Sequence, residues 1–126
     1  MRNVIITIIL FSATILICFI SVKYLNKISN TIYTENSSII NNIQDENWKS
    51  ATNSSLAMSK NWHVYSNRCS IFVNHTLIDD ISLEEHKLEA YIRTKDKDEA
   101  LASASSIEFL LERIKKLETI NIENLF

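Results

Sequence analysis

The sequence predicts an all-α protein: an N-terminal transmembrane helix continuing into a stalk, then a small antiparallel helical bundle. Three observations predict it. Residues 4–22 carry no charge, and thirteen of those nineteen are Val, Ile, Leu or Phe. The 126 residues include no glycine and no proline. Beyond the apolar run, hydrophobic side chains recur at steps of three and four, the period of a helix with one buried face.

Residues 1–3 form a short head, and residues 4–22 are the predicted span. A helix of that length covers about 29 Å, close to the ~30 Å hydrocarbon core of a bilayer. Its thirteen strongly apolar side chains favour insertion by about 4–8 kcal/mol. Thr7, Ser12, Thr14 and Ser21 do not reverse that, because their hydroxyls can bond back to the helix backbone. A cleaved secretory signal has a shorter apolar core and small residues at its cleavage site. The residues that follow here, Lys23, Tyr24 and Leu25, offer none, so the run reads as a retained signal-anchor. Cys18 follows Ile17, where a lipid-modified cysteine wants a small residue before it. A pilin leader is cut after glycine, which the chain lacks.

Arg2 flanks one end of the span and Lys23 and Lys27 the other, so the positive-inside comparison nearly balances. The expected orientation has the N-terminus inside and the C-terminal domain outside. All fifteen acidic residues lie at or after Glu35, which makes the part beyond the span mildly acidic. That balance gives no basic stripe for nucleic acid and no polybasic patch for anionic lipid.

The remaining residues, 23–126, read as one helical domain. Tight hairpin turns depend on residues that tolerate positive φ, so an alphabet without glycine or proline disfavours β folds. It suits helices joined by short Asn-, Asp- and Ser-containing connections. Leu25, Ile28, Ile32, Ile39 and Ile43 continue an apolar stripe from the span, predicting a stalk over 23–44. The bundle is expected over 45–117. Its first helix carries Trp48, Ala51, Ser55, Met58, Trp62, Tyr65, Cys69 and Phe72, with Asp45 and Glu46 at its dipole-positive end. The next carries Ile78, Ile81, Leu88 and Ile92, and Ser82 with Glu85 has capping-box spacing, which allows a break near Ser82. The last carries Ala100, Ala104, Ile107, Leu111 and Ile114, with Asp96 and Glu99 as a second capping box. The tail, 118–126, could cover the open end. An up-and-down bundle is the simplest packing, with paired tetratricopeptide-like hairpins as the alternative.

Chemistry-bearing residues are sparse. His75 and Asp79 stand four apart and share a helix face, the spacing of a metal pair or an acid–base pair, and equally of a structural contact. His63 and His86 stand singly among polar neighbours, and Glu84, Glu85, Lys87 and Glu89 read as a solvated face. Trp48, Trp62, Tyr65 and Phe72 sit at helical spacing, as a core stripe or as the lining of a partner groove. Cys18 and Cys69 lie too far apart along the predicted helices to pair. There is no glycine-rich phosphate loop, nucleophile triad or paired-cysteine zinc spacing, so no cofactor and no enzymatic activity are expected.

Asn47-Trp48, Trp62, Ser70-Ile71-Phe72, His75, Ile78-Asp79, Lys95-Asp96-Lys97, Glu99-Ala100-Leu101, Phe109-Leu110 and Asn124-Leu125-Phe126 together resemble one family. It is domain of unknown function 4363, small single-span proteins of endospore-forming Gram-positive bacteria. The resemblance extends over nearly the whole chain, anchor included. It departs at Cys69, where the family tends to carry tryptophan, and at Leu77, where it tends to carry glutamate. It implies a bacterial membrane location and, from the company family members keep, a multi-span membrane partner. The expected role is therefore a non-enzymatic, membrane-anchored accessory protein that packs against another membrane or envelope protein. A ligand-sensing bundle signalling through a partner is the second expectation, and a metal-dependent enzyme centred on His75 and Asp79 the third.

Overall fold

The computed structural model describes residues 1–125, with side chains through Lys116. The described residues form four helices: α1 (Arg2–Gln44), α2 (Trp48–Cys69), α3 (His75–Arg93) and α4 (Lys97–Leu125). Each helix packs on its neighbours in sequence, and α1 also packs on α4, which closes the ring. This is an up-and-down bundle, and the α1/α4 contact removes the tetratricopeptide alternative.

Helix α1 has two lives. Through residue 20 every position is exposed, including Leu16 and Phe19 at about three-fifths of their surface and Phe11 at about two-thirds. Thr7, Thr14 and Ser21 donate their hydroxyls to the carbonyls of Asn3, Leu10 and Ile17, at 2.8–2.9 Å. From Leu25 onward one face is buried, through Leu25, Ile28, Ile32, Asn36, Ile39 and Ile43. The segment predicted as a stalk is therefore a full member of the bundle. An apolar stripe of that length is stable only against a partner surface, and α2 and α4 supply one.

Two of the three connections are built alike. Asp45-Glu46-Asn47 and Thr94-Lys95-Asp96 each close a Schellman turn. The Glu46 and Lys95 amides donate to Ile43 and Ile92, and those of Asn47 and Asp96 donate to Asn42 and Tyr91, all within 2.9–3.1 Å. The turn needs one left-handed residue, and in the absence of glycine Glu46 and Lys95 take it, each with φ 56°. The next residue then caps the following helix: Asn47 accepts from the Ser50 amide and Asp96 from the Glu99 amide, both at 3.3 Å. Asp45 and Glu46 thus end α1 instead of opening α2. At the opposite end, Ser70–Asn74 join α2 to α3, and Asn74 accepts from the Thr76 amide at 2.9 Å.

The break allowed near Ser82 does not occur. Helix α3 is continuous, because the Ser82 hydroxyl accepts a hydrogen bond from the Trp62 indole at 2.9 Å instead of capping a new start. Helix α4 runs on in one piece through Leu125, taking in the backbone of the predicted tail. The covering of the bundle's open end by that tail's side chains lies outside the described residues. The core is made by Trp62, Ile32, Ile39, Met58, Leu88 and Ile107, all at most 2% exposed, with Ala51, Ala100 and Ala104 letting the backbones approach. Each of the large apolar side chains contributes about 1.5–3 kcal/mol by leaving water.

Candidate functional site

The α2/α3 interface is the sparsest of the four in the ring. Helix α2 presents small polar residues there, Ser55, Ser59 and Ser66, where close packing would want Leu or Ile. Two openings follow along one groove. The larger, of about 530 Å³, is lined by Ser59, Trp62, His63, Val64, Ser82, Glu85 and His86 among others. A smaller one of about 190 Å³ lies toward the α3/α4 turn, between Ser55, Leu56, Glu89 and Ile92.

Glu85 is the chemical centre of this groove. It is 5% exposed, and one carboxylate oxygen, Oε1, has no hydrogen-bond partner. Burial pushes its carboxyl above the ordinary value. The Ser59 hydroxyl opposes that shift most, then the neighbouring His86, while Glu89 adds to it and His63 slightly opposes it. The site thus offers a recessed acceptor, a wall of indole and serine hydroxyls, and an apolar rim from Leu56 and Val64, which are about half exposed. It can take a hydrogen-bond donor flanked by apolar surface.

The charge pattern around Glu85 predicts a solvated face, whereas the structure buries it. It falls inside the stripe Ile78, Ile81, Leu88, Ile92, four residues after Ile81 and three before Leu88. Its position in the helical register was the signal; its charge masked it. His63 and His86 are exposed, as expected, but stand at the groove's rim. A second inward carboxylate, Glu35 on α1, accepts from the Asn61 amide across to α2, and burial raises its carboxyl also, with the Asn61 bond opposing.

The other candidates are not gathered into this site. His75 opens α3 and Asp79 follows one turn later, both exposed. Among the described residues no group of three or more His, Cys, Asp and Glu could hold a metal ion. Of the four aromatics, only Trp62 lines the groove, and it is also core. Trp48 and Tyr65 are half-buried against the core, and Phe72 lies 48% exposed in the α2–α3 loop. Cys69 is buried while Cys18 is exposed on the N-terminal part of α1, beyond the bundle.

A family model described as Domain of unknown function (DUF4363) matches residues 19–125. The match takes in the whole bundle and begins near the end of the apolar run, so most of the expected anchor lies ahead of it. No curated protein and no solved structure matches the chain.

Proposed function

The chain belongs to the family described as Domain of unknown function (DUF4363), and from that premise we propose that it is a non-enzymatic, single-pass protein of the bacterial cell membrane whose bundle, on the outer side, packs against another membrane or envelope protein. One observation carries this reading: α1 is a single helix of 43 residues, apolar and wholly exposed through Ile20 and built into the core from Leu25 onward. Mean hydropathy reaches 2.8 over its most apolar window, none of which is buried. A helix without a break makes anchor and bundle one lever, so lipid would fix the height at which the groove is presented. Leu56 and Val64 on its rim supply apolar contact to a partner in the same membrane, and Glu85 a buried acceptor.

The test is extraction and capture. A tagged copy is expected to stay with membranes through an alkaline carbonate wash. A photo-crosslinking residue at Val64 should then join it to a second membrane protein. Release by carbonate, or recovery from detergent as a lone uncrosslinked monomer, counts against the reading. Protease added to intact cells should cut the bundle if it lies outside.

The unpartnered Glu85 oxygen also favours a second reading, in which a small donor-bearing ligand fills the groove and a partner carries the signal. A ligand at a hundred times its Kd stabilises by about 2.7 kcal/mol, so a thermal-shift screen on wild type and Glu85→Gln separates the two.

A further inference from the structure

We infer that the α2–α3 loop is a second membrane contact, with Ile71 and Phe72 seated in the same bilayer that α1 enters. The inference rests on the anchored reading above and adds to it the orientation of the bundle.

The up-and-down topology returns α2 to the end from which the apolar part of α1 emerges. Three cross-links set the register. Asn42 donates to Ser54 at 3.2 Å, Asn61 donates to Glu35, and Arg68 donates to the Tyr24 hydroxyl at 3.5 Å. Seven residues down α2, from 54 to 61, correspond to seven residues back along α1, from 42 to 35. Continued past Cys69, that register brings residues 70–74 level with Asn26 to Val22, at the end of the uncharged run. The loop residues Ser70, Ile71, Phe72, Val73 and Asn74 carry no charge. Ile71 is 79% exposed and Phe72 48%, although the core lies just behind them at Cys69 and Leu77.

The groups around this level suit a headgroup layer. Lys23 reaches over the Phe19 ring at 5.5 Å, and Tyr24 and Arg68 form their pair beside it. Basic and aromatic side chains collect at such interfaces because one end is apolar and the other hydrated. Leu83 and Phe109 are comparably exposed but sit partway along α3 and α4, away from that end. With lipid at two points, the bundle cannot swivel about α1, and the α2/α3 groove faces one fixed direction along the membrane.

The test uses the full chain reconstituted in phosphatidylcholine–phosphatidylglycerol vesicles that carry a diazirine on the lipid acyl chain. After illumination, peptide mapping should find lipid adducts both in residues 4–22 and at Ile71 and Phe72, and none at Leu83 or Phe109. The double variant Ile71→Ser, Phe72→Ser alters only exposed side chains. It should lose the loop adducts, keep those in α1 and keep its helical circular dichroism. Adducts confined to α1 overturn the inference and leave the anchor standing. Absence of adducts anywhere, in protein that fails to float with the vesicles, overturns both.

Discussion

The Asn36 side-chain amide on α1 donates to the main-chain carbonyl of Ala104 on α4, at 2.8 Å, and neither residue has any exposed surface. The alanine is what lets the two backbones come close enough for an Asn side chain to span them. This bond crosses the contact that closes the ring, so it links the helix that carries the apolar run to the last helix of the bundle. The Asn36 side-chain oxygen has no partner.

Asn36→Ala should cost about 1–2 kcal/mol, a lost hydrogen bond plus a small void, partly offset by removal of the unpartnered oxygen. Asn36→Asp should cost more, about 3 kcal/mol, because it replaces the donor with a buried carboxylate aimed at a carbonyl. Part of that loss should return as pH falls and the acid regains a proton to donate. Urea denaturation followed by circular dichroism measures both.

The Trp62–Ser82 bond should be separable from the bulk of the indole. Ser82→Ala is expected to cost about 1 kcal/mol, and Trp62→Phe more, since it also removes core volume. A double-mutant cycle should give a coupling of about 1 kcal/mol. A coupling near zero would mean that Ser82 is incidental to the α2/α3 contact.

Glu85 makes stability depend on pH with a definite sign. Its carboxyl is raised in the folded chain from the ordinary 4.5, so the folded state holds its proton where the unfolded state has lost it. That contribution is complete below 4.5 and is lost as pH rises through the elevated folded value. Glu35 acts in the same direction. Glu85→Gln should flatten the fall and stabilise the bundle at neutral pH by about 1 kcal/mol, because an amide is less costly to bury half-satisfied than a charge. Thermal melts of the two proteins across pH 4–8 would show the curves diverging toward the alkaline side.

The left-handed turn residues give a prediction about the loops. Lys95 at φ 56° carries a Cβ where glycine would be relaxed. Lys95→Gly should raise stability by about 0.5 kcal/mol, the relieved strain exceeding the added freedom of the unfolded chain. Lys95→Val, branched at Cβ, should lower it by about 1 kcal/mol. Glu46 is the less clean site, because its carboxylate also pairs with Lys97 at 3.4 Å.

Much of the fold was legible because helical burial is periodic. The α2 stripe contains every residue that the structure buries there, the α4 stripe is buried throughout but misses Ser103 and Leu110, and Asp96 caps α4 as its spacing foretold. The Ser82 capping box was a false signal: a serine three residues before a glutamate fits a helix start, but Trp62 claims the hydroxyl. The candidate site was the least legible part. His75 and Asp79 stand out by residue type and lie apart from the groove, whereas Glu85 carries a charge typical of surface in a register that places it inside.

The sequence by itself determined the helical class, the apolar run over residues 4–22, and the faces that α1 to α4 would bury, because each depends on local composition and a period of 3.6 residues. Only the tertiary structure decided that residues 23–44 complete a closed four-helix ring, that α2 and α3 meet loosely over a buried carboxylate, and that the Ile71–Phe72 loop returns to the end where the apolar helix emerges. Those depend on which faces meet and in what register. That is set by side chains far apart in the chain, such as Asn36 with Ala104, whose pairing no local pattern records.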